Sequence, residues 1–213
     1  MLVPFARLTA HLALVTALSV SPVSPPAERV LSIVAAGTPR SSERLGGAVK
    51  ELLSDAPTPK PIVDFGNVQG TWRVVHAPHI DTLSSIALTT FDPIEYRISA
   101  DGGIASYVRY NSKIFGAGWL CTDGTIANVA EAARPEVRIV WDRVWWQIGG
   151  APDAPPTDPD AEGAAALRDV VQAVGKAGFI EPLSVFPVRY VDEELGIFNF
   201  QAFTVTARRA STA

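Results

Sequence analysis

Several residue types are scarce in this sequence, and each scarcity excludes a class of protein. The 213 residues contain one cysteine, Cys121, so an internal disulfide framework is excluded. Free cysteine is usually buried, and Cys121 is best explained as a small buried residue. Charged residues make up only 19% of the chain and the net charge is -4, with no basic patch that would dock on phosphates. Nucleic acid is therefore not an expected partner.

Recognisable catalytic signatures are also missing. There is no Gly-x-Ser-x-Gly sequence, and Gly116 and Gly118 lack the third glycine of a dinucleotide site. These two glycines are expected within a strand, where they let the sheet bend or admit a bulky neighbour. The acidic residues at 192–194 are expected to form a solvated hairpin tip. The sequence indicates no catalytic residue and no cofactor, so a non-catalytic protein is expected.

The amino terminus has the composition of a targeting leader. Residues 1–27 contain no acidic side chain, and Arg7 carries the only formal side-chain charge. The apolar run at 8–20, about 13 residues long, is shorter than a membrane-spanning helix requires. A secretory signal, a plastid transit peptide, and a signal that begins a two-part route into a plastid all fit, and residue types alone do not separate them.

One short helix is predicted within residues 28–66, ahead of a proline-rich linker. Apolar residues from Leu45 onward follow the i, i+4, i+7, i+8 spacing of a one-sided helix. Ser41 or Ser42 can cap its first turn. The prolines in 56–61 end it, because proline has no amide hydrogen to donate.

A period of two then takes over and predicts antiparallel strands across residues 67–209, followed by a tail at 210–213. Turns are expected at 101–103 and 123–124, where aspartate and glycine accept the backbone angles of hairpins. Many short strands at near-regular spacing predict a barrel or a sandwich. The strands are expected at residues 72–76, 94–98, 104–110, 114–121, 125–130, 136–142, 144–148, 185–191, 197–200 and 203–208.

One long insertion, residues 149–178, interrupts the strands. It begins with a proline-rich and aspartate-rich loop at 149–159. The alanine-rich residues 161–176 that follow are predicted to form a helix across the mouth or the side of the barrel. Such a helix can serve as a lid or can simply cover a strand edge.

Two segments of the chain resemble the plastid lipid-associated proteins, or fibrillins. Residues 68–78 contain Gly70-Thr71-Trp72, like the Gly-x-Trp that opens the first strand of lipocalin-type barrels, and residues 188–197 resemble the family's closing Tyr-x-Asp hairpin. The resemblance implies a mainly β fold, a lipocalin-like antiparallel β-barrel with a short N-terminal helix and one helix inserted late in the chain. It implies residence in the plastid, with secretion as the alternative, and association with thylakoids or lipid droplets. It also implies an arginine from the last strand, Arg208 or Arg209, lying over the Trp72 indole.

The interior of the barrel is the predicted ligand site, and a lipid, carotenoid or prenyl quinone is the expected ligand. Apolar and aromatic walls are typical of small-molecule sites, although a barrel of this size can also be filled by its own side chains. The carrier hypothesis predicts an open, mainly apolar interior without converging titratable groups. The residues expected to face it are Trp72, Val74, His76, Tyr96, Tyr110, Trp119, Trp141, Trp146, Phe186 and Tyr190.

The alternative hypothesis depends on His76 and His79, whose H-x-x-H spacing is compatible with a metal site. Positions three apart on a strand face opposite sides, so both imidazoles reach one ion only if Pro78 bends the chain. A small β-barrel enzyme, or a metal-binding or haem-binding protein, would use His76. This hypothesis predicts an open cavity in which the His76 imidazole meets another ligand or a carboxylate.

Overall fold

Eight antiparallel strands form a closed barrel in the computed structural model, and three helices accompany it among the described residues. The structure describes residues 25–56, 65–114, 116–129, 134–151, 154–156, 184–200 and 202–210. The helices are α1 (Pro25–Ala35), α2 (Glu43–Asp55) and α3 (Pro78–Ala87), and a short 3-10 turn spans Phe65–Asn67. The strands are β1 (Gly70–His76), β2 (Thr89–Ile98), β3 (Gly103–Ser112), β4 (Gly116–Asn128), β5 (Glu136–Ile148), β6 (Val185–Val191), β7 (Leu195–Phe200) and β8 (Phe203–Arg209).

Each strand pairs with its neighbour in sequence, and β8 closes the barrel by pairing with β1. This is the up-and-down order of a closed antiparallel barrel. The mainly β, lipocalin-like barrel predicted from the sequence is therefore confirmed. The long ladders join β3, β4 and β5, whereas β5 and β6 share only three register pairs.

The two ends of the barrel carry different elements. The Trp72 end contains the start of β1, the 3-10 turn before it and the end of β8 at Arg209. The α3 end contains α3 itself, the end of β5 at Ile148 and the β7–β8 turn beside Phe203. Because consecutive strands run antiparallel, every second connection lies at the same end.

The helices α1 and α2 pack against the outer face of β7. Ser42 caps α2 as predicted, accepting a hydrogen bond from the Leu45 amide at 3.5 Å. The sequence did not predict α1, and Ala27, placed in the leader by composition, is fully buried within it. Helix α1 therefore includes the last three residues, 25–27, of the segment that composition assigns to the leader. The buried cluster comprises Ala27, Val30, Ile33, Leu45, Ala48, Val49, Leu52, Leu195 and Ile197.

A β-bulge occupies the position where a turn was predicted at Asp123-Gly124. The register between β4 and β5 shifts there, since Asp123 pairs with Arg143 and Gly124 with Trp141, so that Asp142 is the extra residue. A Cβ on Gly124 would lie 1.9 Å from the Val140 carbonyl oxygen. The predicted turn is wrong, and the two pairs of short strands on either side are the continuous strands β4 and β5.

Helix α3, which includes His79, was also absent from the sequence prediction. Pro78 occupies the first turn and Asp81 supplies the acidic side chain that favours a helix start. Among the described residues, no helix is both long and apolar enough to cross a membrane. The helix predicted at 161–176 lies outside the described residues.

Candidate ligand-binding site

The barrel encloses a cavity of about 300 Å³. Its wall is formed by inward-facing side chains of the strands, together with Ala77, Ile80 and Phe65 from the connecting segments. No aspartate, glutamate, lysine or arginine belongs to the described wall, in which His79 is the only histidine. The site is therefore an apolar chamber with a few neutral polar groups.

Trp72 closes one end of this cavity. Its side chain is 4% exposed, and its indole Nε1 donates a 2.8 Å hydrogen bond to the Val68 carbonyl oxygen. The Arg209 guanidinium carbon lies 4.8 Å from the indole centroid, and Arg209 Nη2 donates to the Asn67 carbonyl oxygen at 2.6 Å. The expected arginine over Trp72 is thus Arg209, and the cation–π contact seals this end.

The α3 end is the open one. Leu120 lines the cavity and is the most exposed of the described wall residues, at 38%. His79 also reaches the wall from α3, and its ring stacks on Phe203 with the centroids 4.5 Å apart. Further exposed apolar side chains lie at this end on α3 and the neighbouring turns; they are Leu83, Ile86, Leu88, Ile114, Ile148 and Phe203.

Six of the ten predicted interior residues line the cavity. Tyr190 does so from the edge of the wall, since it pairs with Ile197 and also packs against the core beneath α1 and α2. Strand alternation was sufficient to place the other five, each of which lies within one regular stretch of its strand. The six are Trp72, Val74, Tyr96, Trp141, Phe186 and Tyr190.

His76 does not line the cavity, because the β1–β8 register shifts between Val74 and His76. The shift turns His76 toward α2. The His76 Nδ1 donates a hydrogen bond of 2.8 Å to the carbonyl oxygen of Arg40, which lies just before that helix. Burial lowers the pKa of His76 despite this hydrogen bond and the nearby Asp81 carboxylate, which both raise it. His76 is therefore a buried imidazole biased toward the neutral form, and it lies outside the cavity of the barrel interior.

Trp119 faces outward, since it alternates with the inward-facing Leu120. It packs in an outer cluster with Tyr107, Cys121 and Trp145, and its Nε1 donates to the Ala151 carbonyl oxygen at 3.1 Å. Cys121 is fully buried there, and burial raises its thiol pKa to about 12. The sequence-based explanation of Cys121 as a structural residue fits this position, whereas the inward placement of Trp119 is wrong.

Tyr110 and Trp146 share a sheet face with Leu120 but lie beyond the cavity, at the α3 end. Their rings meet edge to face at 5.7 Å, and Trp146 Nε1 donates to the Tyr110 hydroxyl. Gly118 makes room for this pair, since a Cβ there would lie 2.3 Å from the Tyr110 hydroxyl oxygen. The prediction that Gly118 admits a bulky neighbour is confirmed.

Two polar wall residues were missed by the sequence analysis, which looked for aromatic side chains. Ser106 on β3 and Thr122 on β4 are directly paired, face the cavity and are 8% and 5% exposed. Their even numbering places them on the same faces as Ile104 and Leu120, so alternation alone would have found them.

No metal site is evident in the described ranges, where no three His, Cys, Asp or Glu side chains are grouped to hold an ion. Arg40 instead joins α3 to β2, since its Nη2 lies 2.8 Å from Asp81 Oδ1 and its Nη1 donates to the Phe91 carbonyl oxygen at 2.8 Å. Burial, followed by the Arg40 charge, lowers the pKa of His79. Both imidazoles are thus biased toward the neutral form.

Comparisons of this chain with protein-family models, with curated proteins and with solved structures find no match.

Proposed function

We propose that this protein is a non-catalytic binding or carrier protein that holds a hydrophobic small molecule inside its barrel. The observation that carries the proposal is the cavity of about 300 Å³ with an almost entirely apolar wall. Ligand pockets have volumes from roughly 300 Å³ upward and combine such walls with a few polar groups. An empty apolar cavity forgoes dispersion contacts, so an apolar ligand stabilises the folded state.

The depth of the cavity limits what it can enclose. Trp72 on β1 and Ala77, which follows β1, both line the cavity. They lie five residues apart, which corresponds to about 17 Å of extended chain along the cavity. A long carotenoid or prenyl chain would therefore project through the α3 end, whereas a shorter acyl chain would fit inside. The resemblance to plastid lipid-associated proteins makes these lipids, carotenoids and prenyl quinones the first candidates and the plastid the proposed location, with secretion as the alternative.

The exposed apolar side chains at the α3 end support a source of such ligands in a lipid phase. Ile86 and Ile148 are 76% and 70% exposed. Exposed apolar side chains that lie at the same end of a protein are typical of an interaction site. Contact of this end with a thylakoid or lipid-droplet surface would let a lipid enter the cavity without crossing bulk water. The proposal therefore includes transient contact between the α3 end and lipid.

The wall chemistry favours binding over catalysis. Acid–base and nucleophilic mechanisms need titratable groups within hydrogen-bond reach of each other. The described wall contains one histidine, His79, and no carboxylate beside it. An enzyme using His76 remains the competing hypothesis and predicts turnover of a lipid-like substrate that is lost in His76→Ala.

The experiment that tests the proposal is extraction of the full chain from its native source, followed by mass spectrometry and absorbance of the apolar extract. A stoichiometric lipid, carotenoid or quinone is the expected result. A well-folded protein that is empty and that also fails to bind these compounds in titration would contradict the carrier function.

A matched pair of variants connects the ligand to the cavity. Val108→Phe adds a ring to the cavity wall, whereas Val140→Phe adds the same ring to an outer-face position that is 51% exposed. We expect Val108→Phe to lower ligand affinity by at least about tenfold and Val140→Phe to leave it unchanged. Equal affinities for both variants would place the ligand outside the barrel.

A further inference from the structure

A line of hydroxyl groups crosses the otherwise apolar wall of the cavity. Tyr96 on β2 pairs with Ser106 on β3, and Ser106 pairs with Thr122 on β4. All three side chains line the cavity. Directly paired residues on one sheet face have Cβ atoms about 4.5–5.5 Å apart, so these groups form one continuous polar strip.

Within this strip, the hydroxyl group of Thr122 has no partner in the part of the chain that the structure describes. The residue is 5% exposed, and its Oγ1 is buried without a hydrogen-bond partner among the described residues. Buried hydroxyl groups in folded proteins are nearly always hydrogen-bonded, because leaving one unpaired is destabilising. The unpaired Thr122 hydroxyl therefore points to a hydrogen-bonding group supplied from inside the cavity.

The charge of that group follows from the wall around it. A buried carboxylate or ammonium needs an opposite charge or several strong hydrogen bonds, and the described wall has no lysine, arginine, aspartate or glutamate. Burial raises the pKa of Tyr96 to about 12, so its phenol is a neutral donor at physiological pH. The strip can satisfy a neutral oxygen but not an ionised head group.

We propose that Ser106 and Thr122, with Tyr96 beside them, form a polar subsite that hydrogen-bonds a neutral carbonyl or hydroxyl oxygen of the bound lipophile. This inference rests on the proposed function and specifies its ligand class. The barrel then selects neutral oxygenated lipophiles over hydrocarbons of the same length and over fatty-acid carboxylates.

The test compares three medium-chain probes of equal carbon number, a methyl ketone, the alkane and the carboxylic acid. Binding is followed by the fluorescence of Trp72 and Trp141, which line the cavity. Thr122→Val and Ser106→Ala remove the hydroxyl groups, and Thr125→Val makes the same change as the first variant at an exposed position on the same strand.

We expect the unmodified protein to bind the ketone about tenfold or more tightly than the alkane or the acid. Thr122→Val and Ser106→Ala should each lower ketone affinity several-fold without changing alkane affinity, and Thr125→Val should change neither. Equal affinities of the unmodified protein for ketone and alkane, or a ketone preference that survives Thr122→Val, would overturn the inference while leaving the carrier function intact.

A second readout needs no ligand. Removing an unpaired buried hydroxyl should leave the melting temperature of Thr122→Val equal to or above that of the unmodified protein. A clear fall, absent in Thr125→Val, would show that the hydroxyl has a structural partner and would overturn the subsite. Failure of all three probes to bind would count against the proposed function instead.

Discussion

Replacing Asp192 with alanine should destabilise the barrel strongly. This is unexpected from the sequence, in which the acidic run at 192–194 predicts a solvated hairpin tip. The Asp192 side chain is only 4% exposed. Its Oδ1 accepts hydrogen bonds from the amides of Glu194 and Leu195 at 2.8 and 2.7 Å, and its Oδ2 accepts one from the Tyr190 hydroxyl at 2.6 Å. The expectation of a solvated tip holds for the exposed Glu193 and is wrong for Asp192.

The magnitude follows from these three contacts. A hydrogen bond to a charged group contributes about 1.5–3 kcal/mol, and a buried donor left unpaired costs about 1–3 kcal/mol. The Leu195 amide is buried and cannot recover its partner from water, whereas the neighbouring Glu194 is partly exposed. We therefore expect Asp192→Ala to lower the free energy of unfolding by about 3–5 kcal/mol, a large share of the roughly 5–15 kcal/mol of a typical domain.

Urea unfolding monitored by tryptophan fluorescence measures this loss. Tyr190→Phe, which removes one hydrogen bond, should cost about 1–2 kcal/mol, and it should cost much less in the Asp192→Ala background. Glu193→Ala removes the same charge from the adjacent exposed position and should stay within about 0.5 kcal/mol of the unmodified protein. A loss below about 1 kcal/mol for Asp192→Ala would refute the role assigned to its carboxylate.

Two further predictions concern the ends of the barrel. Arg209→Lys loses the planar contact with Trp72 and should lower the free energy of unfolding in urea by about 1 kcal/mol. Arg208→Lys, on the opposite strand face, should lower it little. Equal losses for the two variants would contradict the role of Arg209 in closing this end. Burial lowers the pKa of His76 and His79 below the usual value of 6.5. As the pH falls, these imidazoles therefore bind protons more readily in the unfolded chain than in the folded protein. The free energy of unfolding should fall as the pH drops from about 7.5 to 5.5. His79→Phe keeps the stack on Phe203 and should reduce this fall, measured as the urea midpoint at both pH values; an unchanged fall would show that His79 does not contribute.

The sequence predicts the strands well because period-two alternation is a local property that needs no tertiary information. It fails where alternation is interrupted. The Asp123-Gly124 bulge and a tight turn both demand a residue without a Cβ, so the residue types cannot separate them, and only the pairing of β4 with β5 does. The same limitation misplaced His76, whose direction depends on a register shift against β8.

The candidate site was only partly predictable for a related reason. Trp72, Tyr96 and Trp141 were found by selecting large aromatic side chains, and the same selection wrongly included Trp119, which serves the outer cluster. Aromatic size says that a residue is buried but not on which side of the sheet it lies. Ser106 and Thr122 are small and polar, so a search for apolar walls passes over the residues that give the wall its chemistry.

The contacts that stabilise the barrel lie mainly at its Trp72 end, whereas access to the cavity lies at the α3 end. The Trp72 end holds the Arg209 contact with the indole, and the Asp192 hydrogen bonds close the β6–β7 turn at that same end. The α3 end has exposed apolar side chains. The three register pairs that join β5 and β6 all lie close to the start of β5, which is at the Trp72 end and not at the α3 end. Local opening requires the least free energy where few contacts must break. A ligand that enters beside Leu120 therefore displaces the least structure. The hydroxyl strip runs from Thr122, two residues from Leu120 on β4, to Tyr96, which pairs with Trp72 at the closed end, so an oxygen of the entering ligand meets the strip inside the cavity.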